Sequence, residues 1–148
     1  HPDENLARVC DAYVGLIEQL LFRQEHSAAE IIAATAANSA GLNVKKLLAN
    51  NIGDAQVVGG MYSKACYIQD SWPSLLFLLY KYLSEPINGL LANTNLGGEN
   101  CHRGSVLGVL LGLASGSSYP ELFEQLVQSN KIRGEISAIL DLLPLNSL

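Results

Sequence analysis

Residues 97–116, with the sequence GGENCHRGSVLGVLLGLASG, hold the pattern that decides the fold. The polar residues 93–100 predict a loop, and the small and apolar residues 102–114 predict a helix that follows it directly. Such a junction presents unpaired backbone N–H groups and the positive end of a helix dipole. The adjacent glycines at 97 and 98 permit unusual backbone angles and close approach by a ligand. The stretch therefore indicates either a ligand-binding loop or an ordinary turn between two helices.

Glycines recur every four residues along the predicted helix, at positions 104, 108, 112 and 116. Residues four apart lie on nearly the same helix face. Because each interior glycine costs about 1 kcal/mol relative to alanine, their repetition predicts a face that a neighbouring helix or a ligand approaches closely. The stretch is too short to span a bilayer, so we expect close helix packing in a bundle.

Two further helices are marked by their capping residues. Asp3 is placed to cap a helix over residues 3–24, in which apolar residues recur at three- and four-residue intervals. Ser27 and Glu30 form a capping-box pattern for a second helix, which Gly41 ends.

The rest of the chain carries the same helical pattern. Ser71, followed by an early Pro73, predicts the cap of a strongly apolar helix over residues 75–83. Other helices are predicted over residues 43–50, 54–60, 87–93, 120–129 and 132–143. No segment shows the sustained alternation that is typical of a strand, so the predicted fold class is all-α.

Composition narrows the possible functions. The 148 residues are 49% hydrophobic and 16% charged, which is enough apolar material for a buried core. The net charge is −5 with only 9 Lys and Arg, so nucleic-acid binding is disfavoured. No apolar run reaches the roughly 20 residues of a membrane span. The cysteines at 10, 66 and 101 lack a CxxC spacing, which favours reduced thiols in helices of an intracellular protein, cytoplasmic or organellar.

These features together resemble the C-terminal half of the ADP-ribosylglycohydrolase family. That family has a late motif Gly-Gly-Asp-x-Asp-Thr followed by a small-residue helix; here residues 97–102 are Gly-Gly-Glu-Asn-Cys-His, and the glycines at 108 and 112 fall in register. Residues 67–77 resemble the apolar helix that precedes this loop in the family. His1-Pro2-Asp3 resembles the Thr-His pattern that opens a helix there, so the resemblance runs from His1 to about Gly116.

The resemblance implies an orthogonal multi-helix bundle that holds two magnesium or manganese ions. It implies hydrolysis of the glycosidic bond at the anomeric carbon of ADP-ribose. Glu99 stands at the first Asp position and is the expected catalytic and metal-binding carboxylate, and His102 at the Thr position is a candidate second metal ligand. Cys101 replaces the second Asp, and a thiol is a poor ligand for magnesium.

The resemblance also implies a set of ligand-binding residues around ADP-ribose or a related nucleotide. The two loop glycines, Gly97 and Gly98, would line the ligand, and Arg103 and His102 are candidates to bind a phosphate. His1 matches a family position near the bound nucleotide.

Three interpretations of the whole chain stay open. The family's N-terminal acidic motifs do not occur in residues 1–148, so these residues form either a single helical domain or the C-terminal part of a longer one. In the first interpretation the missing half, or another protein chain, completes an active hydrolase. In the second, the chain is a catalytically degenerate relative that serves as a structural or binding subunit of a larger assembly. In the third, it is an unrelated helical domain.

Overall fold

The computed structural model of the chain describes residues 3–116 and 119–142, and it confirms the all-α prediction. Within these residues the regular structure consists of α-helices, together with one isolated bridge between Val58 and Tyr62. The helices are α1 Glu4–Leu21, α2 Ala28–Ala40, α3 Val44–Ala49, α4 Asp54–Val57, α5 Ile68–Lys81, α6 Pro86–Leu96, α7 Asn100–Ser115, α8 Pro120–Glu124 and α9 Ser129–Leu142.

The chain divides into two compact units, residues 1–117 and residues 118–148. The first unit contains α1 to α7 and is built around α5, which packs against all six of its other helices. Eight consecutive residues of α5, from Trp72 to Leu79, are buried, and the core also contains side chains from α1, α2 and α7. The second unit contains α8 and α9.

The predicted caps of the first two helices are confirmed. The Asp3 carboxylate accepts a hydrogen bond from the Leu6 backbone N–H at 3.0 Å. Ser27 and Glu30 form both hydrogen bonds of a capping box, and Gly41 ends α2 with a left-handed φ of 61°. These signals are local, because each satisfies backbone groups within one helical turn.

The predicted start of α5 is wrong. The helix begins at Ile68 after an extended Tyr67, so Pro73 lies inside it, and the Ser71 hydroxyl donates to the Ala65 carbonyl oxygen at 3.3 Å. Pro73 cannot donate a helix hydrogen bond. Burial of the side chains from Trp72 onward compensates for that loss, because each large apolar side chain contributes about 1.5–3 kcal/mol.

Several other boundaries also differ from the sequence pattern. Helix α1 ends at Leu21 rather than at residue 24, and α4 ends at Val57 rather than at residue 60. The predicted loop over residues 93–100 is much shorter, because α6 continues to Leu96 and α7 begins at Asn100. Only residues 97–99 separate these two helices. In the second unit, α8 ends at Glu124 and α9 begins at Ser129 rather than at residue 132.

The small-residue face of α7 packs against α6, as its glycine spacing predicts. A Cβ atom at Gly104 would lie 2.9 Å from Asn93 Nδ2, and one at Gly108 would lie 3.7 Å from Leu90 Cδ2. Gly116 instead ends α7, with a left-handed φ of 70°. The close contact between α6 and α7 therefore depends on the absence of a side chain at Gly104, whereas a Cβ atom at Gly108 would make an ordinary van der Waals contact.

The three cysteines are free and exposed, and Cys66 lies in a non-helical segment, so their expected placement in helices holds only for Cys10 and Cys101. Among the helices of the described residues, none combines the length and the hydropathy needed to cross a membrane.

A polar cluster fixes α4 against the end of α5. The Lys81 ammonium group lies 2.6 Å from Asp54 Oδ1, and the Tyr82 hydroxyl donates to Asp54 Oδ2 at 2.6 Å. Burial, reinforced by the neighbouring Asp54 carboxylate, raises the pKa of Tyr82 to about 12. In the folded protein Tyr82 is therefore protonated at neutral pH, and its hydroxyl group donates the hydrogen bond to Asp54.

We expect the Tyr82→Phe substitution to lower the free energy of unfolding by about 1–2 kcal/mol at neutral pH, because one hydrogen bond to a charged group is lost. In the unfolded chain Tyr82 ionises near pH 10, and in the folded chain near 12. Its contribution is thus complete below pH 10 and is lost as the pH rises toward 12. Urea unfolding of the wild type, Tyr82→Phe and the control Tyr80→Phe between pH 8 and 12 measures this contribution. If Tyr82→Phe is less stable than the wild type by the same free energy at pH 12 as at pH 8, the prediction is wrong.

Candidate functional site

The loop between α6 and α7 adopts a backbone conformation that requires glycine at two successive positions. Gly97 has φ 69° and ψ −155°, and Gly98 has φ 66°. Side chains at such positive φ values are strained, and the Gly97 combination is essentially restricted to glycine. The pair turns the chain sharply between the two helices, so the side chain of Glu99 is presented at the start of α7.

The loop is held from one side by the segment that precedes α5. The Glu99 backbone N–H donates to the Lys64 carbonyl oxygen at 3.0 Å. A Cβ atom at Gly98 would lie only 2.3 Å from that same oxygen, so the two backbones are in direct contact. This role of Lys64 was missed from the sequence, because nothing in its local pattern points to a backbone contact with residues over thirty positions away.

The other side of the loop is held by a buried arginine. Arg103 is 4% exposed; its Nε donates to Asn93 Oδ1 at 2.6 Å and its Nη2 donates to the Gly97 carbonyl oxygen at 3.0 Å. Asn93 in turn donates from Nδ2 to the Asn100 carbonyl oxygen at 2.9 Å. Burial lowers the pKa of the Arg103 guanidinium, which nevertheless stays protonated at neutral pH. The network ties the end of α6 to the start of α7.

In this geometry Arg103 stabilises the junction of α6 and α7, in addition to its predicted role in binding a phosphate. Its guanidinium donates one hydrogen bond to Asn93 in α6, whose side chain is buried, and one to the Gly97 carbonyl oxygen in the loop. Arg103 also lines the cavity beside the loop, so its phosphate-binding role stays a prediction. Asn93 was missed as a site residue, although a buried amide between two helices is the partner that a buried guanidinium needs.

Glu99 and His102 form an exposed pair at the mouth of this cavity. His102 Nδ1 lies 2.8 Å from Glu99 Oε2, one helical turn apart at the start of α7. The side chains are 42% and 86% exposed for Glu99 and His102 respectively, so both are accessible to a ligand. A carboxylate hydrogen-bonded to an imidazole can orient a water molecule and exchange a proton with it.

The cavity has a volume of about 320 Å³ and is bounded by α1, by the start of α5 and by α7. Its walls are mainly apolar, and its polar groups are concentrated where the loop enters α7. It is lined by Leu6, Val9, Cys10, Tyr13, Cys66, Ile68, Ser71, Trp72, Leu75, Glu99, His102, Arg103 and Val106. An apolar pocket with a few convergent polar groups is the usual form of a small-molecule site.

The residues present do not fit a magnesium site on their own. In residues 3–116 and 119–142, no group of three or more His, Cys, Asp or Glu side chains is arranged to hold a metal ion. Cys101 does not line the cavity, which leaves Glu99 as the carboxylate and His102 as the imidazole. Magnesium prefers six oxygen ligands in octahedral geometry, and this pair supplies one side chain of that kind. His1, the remaining predicted ligand residue, lies outside the described residues.

The two loop glycines offer a matched test of the geometry. We expect Gly98→Ala to destabilise the fold by about 1–3 kcal/mol more than Gly97→Ala, because both place a side chain at positive φ but only the former drives a Cβ atom into the Lys64 carbonyl. Urea unfolding of the two variants measures the difference. Equal stability of both would show that the Gly98 contact with Lys64 costs no more than the additional backbone strain at Gly97.

Comparison with known proteins identifies a family. No curated protein and no solved structure matches the chain significantly. A family profile described as ADP-ribosylglycohydrolase matches residues 1–146, which is nearly the whole sequence, and the all-α fold is the one expected of that family. The chain therefore belongs to the ADP-ribosylglycohydrolase family.

Proposed function

We propose that this chain supplies the ligand-binding loop and one catalytic carboxylate of a hydrolase that cleaves the glycosidic bond at the anomeric carbon of ADP-ribose. Membership of the family supports the reaction class. The observation that carries the proposal is the position of Glu99: a glycine turn, held on both sides, sets its carboxylate at the mouth of a cavity within hydrogen-bond distance of His102.

In this proposal Glu99 acts on the water molecule that attacks the sugar. The carboxylate accepts a proton from water as the oxygen bonds to the anomeric carbon, and the glycosidic bond breaks with its electron pair leaving on the acceptor atom. His102 orients the carboxylate through Nδ1, which leaves Nε2 free to contact a phosphate or the ribose. Gly97 and Gly98, which were predicted to line the ligand, are not among the residues that line the cavity; they act by forming the turn that presents Glu99.

Glycosidic bond cleavage commonly uses two carboxyl groups, one on each side of the bond. In the cavity described above, Glu99 is the carboxylate among the lining residues. The proposal therefore places the second carboxyl group in an upstream segment or in another protein chain that completes the site. The same source would have to supply the additional oxygen ligands if a magnesium or manganese ion binds at Glu99.

A second candidate function is ADP-ribose binding without hydrolysis, by a degenerate relative within an intracellular assembly. The feature that favours it is the small number of oxygen donors in the loop, where Cys101 and His102 stand at the positions that the family resemblance assigns to Asp and Thr. Cys101 does not line the cavity, so it supplies no ligand there. Both candidate functions include binding of ADP-ribose, and only the first includes cleavage of the glycosidic bond.

Glu99→Gln separates the two candidates. We expect the wild type to bind ADP-ribose in isothermal titration, and Glu99→Gln to bind it within about three-fold, because glutamine keeps the shape of the side chain. In the hydrolase, release of ADP-ribose from an ADP-ribosylated substrate falls about 10²–10⁴-fold in Glu99→Gln, which is the usual contribution of a general base.

Glu18→Gln, on α1 outside the cavity lining, is the control and should retain full activity. Turnover is measured on the assembly that includes the upstream segment or the partner chain. Binding without turnover by this wild-type assembly, with and without magnesium, supports the degenerate relative. Absence of ADP-ribose binding under both conditions contradicts both candidates.

A further inference from the structure

Two cysteine thiols lie on the wall of the cavity beside Glu99. Cys10 and Cys66 are among the residues that line this cavity, whereas Cys101 is not. All three cysteines are free and exposed, so each thiol is accessible to a reagent in solution. A cysteine that serves only to fill the core is normally buried and unreactive. Core packing therefore does not account for two accessible thiols on one cavity.

Cys10 lies in the middle of the α1 face that forms one wall of the cavity. Leu6 and Tyr13, about one turn before it and one turn after it, line the cavity as well. Residues at these three- and four-residue spacings share one face of a helix. A group attached to the Cys10 sulfur would therefore lie between α1 and the other walls of the cavity.

Cys66 belongs to the segment that holds the glycine turn. Two residues before it, the Lys64 carbonyl oxygen accepts the hydrogen bond from the Glu99 backbone N–H. The next carbonyl oxygen, that of Ala65, accepts a hydrogen bond from the Ser71 hydroxyl at 3.3 Å. These two bonds hold the backbone that leads into Cys66, so its thiol has a defined place on the cavity wall, close in the chain to the residue that positions Glu99.

The cavity leaves little room for both a ligand and a group attached to a thiol. Its volume of about 320 Å³ is at the lower end of the roughly 300–1,000 Å³ of small-molecule sites. One of its walls is the side chain of Trp72, which is 4% exposed and donates from Nε1 to the Ser39 hydroxyl at 2.9 Å. Because this wall is packed and hydrogen-bonded, a group bonded to either cysteine takes space that ADP-ribose needs.

We propose that Cys10 and Cys66 form a thiol modification site, at which a mixed disulfide with a small thiol such as glutathione excludes ADP-ribose from the cavity. This inference rests on the proposed function, because it concerns the same ligand. The co-reactant is a low-molecular-weight disulfide. The cysteine loses its proton to solvent and its sulfur attacks one sulfur of that disulfide. A new S–S bond forms as the old one breaks, and the displaced thiolate leaves with the electron pair, so the disulfide is reduced as the cysteine is oxidised.

The three cysteines provide a matched test. The full chain is treated with glutathione disulfide, the adducts are located by peptide mass spectrometry, and the Kd of ADP-ribose is measured by isothermal titration before and after treatment. For the wild type we expect adducts at Cys10 and Cys66 and a rise in Kd of about ten-fold or more, which dithiothreitol reverses.

The variants are compared by the ratio of the Kd after treatment to the Kd before it. This ratio should stay within about two-fold of one for the double variant Cys10→Ser/Cys66→Ser, in which Cys101 is the remaining thiol. Cys101→Ser is the matched control, because its cysteine is exposed but does not line the cavity, and it should show the same ratio as the wild type.

A second measurement uses ADP-ribose to protect the thiols of the wild type. With ADP-ribose at about ten times its Kd, the cavity is empty in roughly a tenth of the molecules. Alkylation by iodoacetamide should therefore slow about ten-fold at Cys10 and Cys66 and proceed at an unchanged rate at Cys101.

Several results would overturn the inference. They are the absence of adducts at both Cys10 and Cys66, an unchanged Kd in chains that carry them, and an equal rise in Kd in the double variant. Loss of the helical circular-dichroism signal on treatment would also overturn it, because weaker binding would then come from unfolding. If the untreated wild type does not bind ADP-ribose, it is the proposed function that fails.

Discussion

The buried hydrogen bonds of Arg103 are the constraint on which the candidate site depends. The guanidinium binds the Asn93 side chain at the end of α6 and the Gly97 carbonyl oxygen in the loop. Each buried group is polar and would cost free energy if left without a partner, so the three hold one another in a single arrangement. The missing side chain at Gly104 lets α7 approach Asn93 closely enough for these bonds to form.

That constraint decides which side chains of the loop face a ligand. With the loop held by Arg103 on one side and by the Lys64 carbonyl on the other, Glu99 and His102 extend toward the cavity from the first turn of α7. The loop is thus positioned by hydrogen bonds to the buried Arg103 side chain and to the Lys64 backbone carbonyl. A rigid support of this kind is what allows a short polar segment to present a carboxylate in a defined position.

The sequence predicts those parts of the fold whose causes are local. The caps at Asp3 and Ser27, the stop at Gly41 and the loop-to-helix junction after Leu96 each follow from residues within a few positions of one another. The start of α5 does not follow from nearby residues, because burial against the surrounding helices allows the helix to include Pro73. The Arg103 and Lys64 contacts were equally hidden, since each joins backbone or side-chain groups that only the tertiary structure brings together.

The loop and the side chains that it presents differ in how strongly the structure constrains them. Positive φ values and a backbone contact fix the glycine turn, whereas the side chains of Glu99 and His102 at the cavity are exposed. A scaffold that depends on positive φ values and buried hydrogen bonds tolerates few substitutions, while exposed donors can change without unfolding the chain. Substitutions of the exposed pair therefore test the chemistry of the site, whereas substitutions of the glycines test the fold that positions it.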